Sequence, residues 1–235
     1  RLVKGDNALL LDWGDCQRGF DLVREAACDA AAVSLPEVTD WHLTRVDALW
    51  AWPVEPTPYI AALRFARLPR TQARAFGSNS VDWMTRGRRI RARFYDKEAE
   101  VGATVDLPSR LERQARPRRE VVRVGGGDRL GDRVGDLAAA SVKGLLCDCM
   151  AELGLDKPIR SVLALRGPLV EAHGRRRGSN LFRALLEARA CGAWPGYWSR
   201  WTLAAYRRRL AEAGIRAFSL DGELPALAVP GSVCP

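Results

Sequence analysis

Histidine is nearly absent from this chain: His42 and His173 are the only two. That number cannot supply an HxH or HExxH metal pair, and His42, set among tryptophans, reads as a packed, hydrogen-bonded core histidine. No GxSxG elbow occurs, and no glycine-rich loop ends in Gly-Lys-Ser/Thr; GGGDRLG fails the dinucleotide pattern because Leu130 stands where the third glycine belongs. Nucleophile-elbow hydrolases and phosphate-loop enzymes are thereby excluded. The six cysteines, at positions 16, 28, 147, 149, 191 and 234, lack the dense spacing of a disulfide scaffold and read as reduced thiols. Cys147 and Cys149 sit two apart in a helical pattern with no second Cys/His pair, which argues against a metal knuckle. Long apolar runs are missing too. The least polar stretch, Leu137 to Leu155, still carries Lys143, Asp148 and Glu152, short of the roughly 20 apolar residues a membrane span needs. No signal peptide precedes Trp13, and the chain begins at Arg1 rather than methionine, the pattern of a fragment or processed product.

What is present is a chain of 235 residues with 47% apolar and 28% charged content, enough for one large domain or two small ones. Lysine is scarce (Lys4, Lys97, Lys143, Lys157), so arginine supplies nearly all of the net charge of +9. GC-rich coding alone would enrich arginine, so the distribution matters more than the total. Between Ala61 and Glu120 fifteen basic residues face seven acidic ones. Almost the whole excess lies in one quarter of the chain, which points to a basic surface and a polyanionic partner, nucleic acid before membrane surface.

Periodicity predicts a short strand over Ala8–Trp13, a helix from Asp21 to about Ala32, and a strand over Trp41–Trp52 with Leu43, Arg45, Asp47 and Leu49 on one face. Pro58 suits the first turn of a helix through Tyr59, Leu63 and Phe65. Strands are expected at Gln72–Phe76 and Arg88–Asp96, joined as a hairpin by the polar segment Gly77–Gly87. A charged helix over Ser109–Arg116 and a strand over Glu120–Val124 follow. Gly125–Gly135 reads as a linker, with a domain boundary near Gly127. Beyond it come a helix over Asp136–Leu153, a strand-like Ser161–Val170, and helices over Asn180–Ala190 and Ser199–Ala213. The last has Ser199 as N-cap, Gly214 as stop and Leu203, Tyr206 and Leu210 on one stripe. The expected architecture is α+β: residues 1–127 form an antiparallel sheet with flanking helices, and residues 136–235 a mainly helical region. The final helix pair is either a DNA-reading helix-turn-helix or an ordinary helical hairpin.

The segment RRIRARFYDKEAE, Arg88 to Glu100, carries the most chemistry. Strand alternation turns Ile90, Ala92 and Phe94 toward a core and Arg89, Arg91, Arg93, Tyr95 and Lys97 to the opposite face. A tyrosine among cations suits phosphoryl transfer, since a phenol of pKa near 10 needs positive neighbours to ionise and attack a phosphodiester. The plain alternative is a solvated basic strand whose tyrosine packs over arginine stems. Asp47 and Glu120 each share a strand face with apolar residues and need a partner if buried; that partner is an arginine or a divalent ion held by oxygen ligands.

Four pieces, LTRVDALWAW (Leu43–Trp52), RARFYDKEAE (Arg91–Glu100), RREVVRV (Arg118–Val124) and SRWTLAAYRRRLAEAGI (Ser199–Ile215), occur in this order. In that order they resemble the replication initiation proteins of filamentous phages, the gene II type, which are similar to the tyrosine-dependent Rep proteins of rolling-circle plasmids. The resemblance spans about Asp40 to Ile215, and R-x-Y-D-K-x-x-E is its most specific element. It implies a site-specific DNA nickase and ligase whose tyrosine joins a 5′ phosphate at the replication origin and leaves a 3′ hydroxyl to prime synthesis.

On that pattern Tyr95 matches the nucleophile and Lys97 the lysine beside it. Asp47 and Glu120 match ligands for Mg²⁺ or Mn²⁺, and Glu100 is structural. Arg89, Arg91, Arg93, Arg207 and Arg208 would contact DNA, while Arg175 to Arg177 are either DNA contacts or a solvated run. Origin DNA, a host helicase and a host polymerase are the implied partners, no membrane is involved, and the bacterial host cytoplasm is the implied location. The rival expectation is a non-catalytic DNA-binding regulator of replication or transcription. A tyrosine recombinase fits less well, because its Arg/His activators would have to come from a chain with two histidines.

Overall fold

The structure is a computed structural model that describes residues 13–41, 46–87, 89–115 and 140–228. The expected strands at Ala8–Trp13 and Glu120–Val124, the linker Gly125–Gly135 and the boundary near Gly127 fall outside these residues, except that Trp13 opens a helix. Along the chain run α1 (Trp13–Ala31), β1 (Val46–Trp52), α2 (Pro56–Leu63), β2 (Gln72–Phe76), β3 (Ser80–Met84), β4 (Ile90–Asp96), α3 (Lys97–Val101) and β5 (Ser109–Ala115). They are followed by α4 (Ala140–Leu153), α5 (Arg166–Cys191) and α6 (Arg200–Glu212). The class is α+β: five antiparallel strands in the order β1-β5-β4-β3-β2, flanking helices, and a helical C-terminal region. The chain divides into two compact units, residues 1–49 with 113–146, and residues 50–112 with 147–235.

In the first unit α1 is followed by a turn stapled through Arg24, which donates to the Pro36 carbonyl at 3.0 Å and pairs with Glu37. The Trp41 indole also donates to Pro36, at 3.1 Å. Leu22, Val23 and Val33 stay exposed.

The second unit contains the β2–β3–β4 meander. β3 pairs with β2 from Gln72↔Met84 to Phe76↔Ser80, and with β4 from Ser80↔Tyr95 to Met84↔Ile90, with a register shift between Trp83 and Met84. The expected Gly77–Gly87 connection therefore contains a full strand. Its SVDWM sequence is too short and too mixed to stand out, yet it buries Val81 and Trp83 completely. Ser109–Ala115 is likewise a strand and not the expected charged helix. As the neighbour of β4 in the sheet it gains ladder hydrogen bonds that an isolated charged heptapeptide would not. Val81, Trp83, Ala92 and Phe94 form the apolar face, against which α2 packs; Tyr59 and Trp52 stack near Phe94 at 6.1 and 6.5 Å. Pro56 takes the first helical position of α2, where its missing N–H is no loss.

The helical segments of this unit share a core of Phe65, Leu165, Leu181, Leu185, Leu210 and Phe218. Phe65 stacks on Phe218 at 4.5 Å and meets Trp194 edge-on at 5.5 Å. The segment 225–228 is tied down by hydrogen bonds from the Trp52 indole to the Ala228 carbonyl (2.8 Å) and from the Tyr59 hydroxyl to the Pro225 carbonyl (2.9 Å). Ser161–Val170 is not a strand: after isolated bridges at Ile159 and Ser161, Val162–Leu165 forms a 3₁₀ turn that runs into α5. Its Val, Leu and Ala mixture is compatible with either state, and the shared core settles it.

α5 breaks at Gly174 (φ 73°, ψ 163°), a conformation open to glycine. The break returns Gly178 against Leu169, where a Cβ would meet the Leu169 carbonyl oxygen at 2.4 Å. α6 matches expectation closely. Ser199 accepts from the Thr202 amide at 3.1 Å, Leu210 is buried, and Gly214 (φ 73°) follows the helix end.

Candidate functional site

β4 places Arg93 and Tyr95 on the sheet face opposite Phe94, and the register sets Asp82 across from Arg93 and Ser80 across from Tyr95. Asp82 is buried, and Arg93 grips it with two hydrogen bonds, Nε at 2.8 Å and an Nη at 3.0 Å. Such a bidentate pair satisfies a carboxylate that would otherwise be costly to bury. The Arg93 guanidinium also lies 6.0 Å from the Tyr95 ring centre. Tyr95, Arg93, Asn79, Ser80 and Glu100 line an open cavity of about 280 Å³.

The sequence ending this strand, YDKEAE, folds as a strand-to-helix corner. Asp96 caps α3 by accepting from the Ala99 amide at 3.1 Å, and Gly102 closes the helix in the left-handed region. Lys97 and Glu100, three apart on that helix, form an ion pair at 2.6 Å with Lys97 buried. The D-K-x-x-E spacing thus has a complete local structural purpose. The strand ends at Asp96, so Lys97 opens α3 and does not continue the strand alternation that grouped it with Arg93 and Tyr95.

Tyr95 itself is only 7% exposed, unlike the tyrosine of the plain alternative, a solvated basic strand, and Arg93 lies beside its ring. Burial pushes its phenol above the usual value of 10, Glu100 and Glu112 push it further, and Arg110, which donates a hydrogen bond to the phenol, works in the opposite direction. The net direction is upward. Neutral phenol is the resting form at pH 7.

Arg110 and Glu112 do not stand out in the sequence. They belong to β5, and reading SRLERQA as a strand would have placed both on one face by simple alternation. Of the expected DNA-binding arginines, Arg89 is exposed, Arg91 donates to the Pro69 carbonyl at 3.0 Å, and Arg93 is committed to Asp82. Arg207 is half-buried and Arg208 exposed on α6; Arg175 to Arg177 are exposed on α5.

Of the two expected metal ligands only Asp47 lies among the described residues. Glu120 lies outside them, and Asp47 is exposed at the start of β1, so it has no burial for a cation to offset. No group of three His, Cys, Asp or Glu among the described residues is arranged to hold a metal ion. Near Tyr95, Glu100 is paired with Lys97, and Glu112 acts on Arg93. Cys28 and Cys191 are free thiols. Among the described residues no helix is long and apolar enough to cross a membrane. Comparison with known proteins found no matching family, no matching curated protein and no matching solved structure.

Proposed function

We propose that the chain initiates rolling-circle DNA replication, nicking and rejoining an origin through a covalent 5′-phosphotyrosine at Tyr95. The observation that carries this reading is the meeting of a tyrosine hydroxyl with the buried Arg110 guanidinium beside a cavity that Arg93 also lines. It adds to the resemblance of the R-x-Y-D-K-x-x-E string to filamentous phage initiators. In the step proposed, the Tyr95 oxygen attacks phosphorus, its proton leaves to solvent through the open cavity, and the new O–P bond forms as the P–O3′ bond breaks. The 3′ oxygen takes up a proton, and rejoining runs the same exchange in reverse. Arg110 offsets charge on the phenol oxygen, and Lys97 supports the corner from within its pair with Glu100. Such an initiator works on origin DNA in the bacterial host cytoplasm alongside a host helicase and polymerase.

The test is incubation of the chain with labelled supercoiled DNA carrying a cognate origin, with Mg²⁺ or Mn²⁺ supplied, and resolution on a denaturing gel. A protein-linked 5′ end that vanishes in Tyr95→Phe is expected. Origin binding without any covalent product in the unmutated chain overturns the proposal in favour of a non-catalytic DNA-binding regulator. One observation favours that second reading: Tyr95 is only 7% exposed, and burial makes its phenol harder to ionise.

A further inference from the structure

Two of the largest side chains in the molecule stand almost entirely in solvent, four residues apart. Tyr197 is 73% and Trp201 71% exposed. They are not loose. Tyr197 meets Trp198 edge-on at 6.3 Å, Trp198 meets Trp194 at 5.8 Å and Tyr206 at 5.1 Å, and Trp194 meets Phe218 edge-on at 5.9 Å. An aromatic layer therefore roots Tyr197 in the hydrophobic core, while Trp201 stands in the first turn of α6, a helix start fixed by the Ser199 cap. Leaving this much ring surface wet costs stability that burial would recover; scattered single apolar residues are ordinary on a surface, but a supported pair is not.

The charge around these rings is of one sign. α6 carries Arg200, Arg207, Arg208 and Arg209 against one carboxylate, Glu212, and the preceding segment from Gly192 to Ser199 carries no charge at all. Arg200 lies over the Trp201 ring at 4.8 Å. Seven residues on, two helical turns along the same stripe, Arg207 lies 5.9 Å from the Trp194 ring, and its buried Nε has no hydrogen-bond partner. Burial first, and the Arg67 charge second, hold the Arg207 guanidinium below its usual value. Arg208 makes only a long, exposed contact of 3.6 Å with Glu212. Tyrosine, tryptophan and arginine also populate protein interfaces, so it is the one-signed charge, four arginines against a single carboxylate along α6, that points to a polyanion.

We propose that this turn and the first two turns of α6 bind single-stranded nucleic acid, with bases stacked on Tyr197 and Trp201 and phosphates held by Arg200, Arg207 and Arg208. Rings and arginines interleaved in this way are how sequence-tolerant single-strand binders work, because every base has a π-face. A duplex keeps its base faces stacked inside and gives the two rings nothing to cover, so the preference is for the unpaired strand. The inference goes beyond the nicking proposal and does not depend on it, since none of these residues belongs to the Tyr95 site.

The experiment measures fluorescence anisotropy of labelled dT20, rU20 and a 20-base-pair duplex with the full chain, following intrinsic tryptophan emission in parallel. Tighter binding of single strands than duplex, with quenching of emission, is expected; a preference between dT20 and rU20 identifies DNA or RNA as the source. Trp201→Ala and Tyr197→Ala should each weaken single-strand binding by about tenfold, Trp201→Phe by much less, and Arg200→Ala should lower the salt slope by about 0.7 for each phosphate it no longer neutralises. Thermal melts of the variants establish that the fold is kept, and Tyr95→Phe should bind as the unmutated chain does, so a failure to nick and a failure to bind are read separately. The proposal is overturned by duplex binding as tight as single-strand binding, by undiminished affinity in the Tyr197→Ala/Trp201→Ala double variant, or by no binding with self-association that the double variant abolishes.

Discussion

The sheet face around Tyr95 and the surface of α6 both concentrate arginine, yet they treat it in opposite ways. On the sheet, Arg93 is locked to buried Asp82, Lys97 to Glu100, and Arg110 is buried against Tyr95. On α6, Arg200 and Arg207 rest on tryptophan rings, and one carboxylate serves four guanidinium groups. A cation matched to an internal acid has its interaction energy already realised in the fold, and an incoming phosphate must compete for it. A cation stacked on a ring keeps its N–H groups for a ligand. Arginine count alone therefore does not locate an anion-binding surface; the placement of the carboxylates does.

The largest expected effect that sharpens this contrast is on stability. Arg93→Ala strands the Asp82 carboxylate in the sheet and should cost about 3–5 kcal/mol, read by denaturant unfolding. Arg200→Ala should change the same measurement by less than about 0.5 kcal/mol. Comparable losses from the two substitutions would break the distinction.

A smaller effect separates the regions by pH. The folded chain holds Tyr95 protonated to higher pH than the unfolded chain does. More protons are then bound in the folded state above pH 10, so this contribution is complete below pH 10 and is lost as pH rises through the higher folded-state value. Alkaline melts should show that decline, and Tyr95→Phe should flatten it. If Tyr95 is the nucleophile, the nicking rate should also climb from neutral toward alkaline pH, since the phenol must lose its proton during attack.

Next in size, Ser199→Ala removes the cap that fixes the start of α6 and should cost about 1 kcal/mol. It should also weaken single-strand binding modestly, through the displaced Trp201. The smallest stability effect belongs to Trp201→Ala, below about 0.5 kcal/mol because so little of the side chain is buried, with a binding loss out of proportion to it. A large drop in melting temperature would instead make Trp201 a structural residue.

α6 is legible in the sequence because its signals are local: an N-cap serine, an apolar stripe at helical spacing and a terminal glycine all sit within sixteen residues. β2 and most of β4 are legible for the same reason, through alternation within one strand. β3 and β5 are not. SVDWM and SRLERQA carry weak or misleading local patterns, and both become strands because neighbours in the sheet take up their backbone groups and bury Val81, Trp83 and Leu111. The helical look of β5 also hides Arg110 and Glu112 from the candidate site. Tyr95 can be named from the sequence, but its burial and its company cannot, since they come from β5 and from the turn into α3.

What the sequence alone determines here is the α+β class, the concentration of arginine, the capped final helix and the strand that carries Tyr95. Each rests on composition or on contacts between residues close in the chain. Which arginines are matched and which are open, that the phenol is shielded, and that Tyr197 stands exposed beside an aromatic layer with Trp201 exposed nearby were decided by tertiary structure. Those properties depend on which distant segments meet: a carboxylate eleven residues from its arginine across a sheet, or a phenylalanine beneath a tryptophan more than a hundred residues on. Pairing and desolvation act through space, and the chain records them only once it has folded.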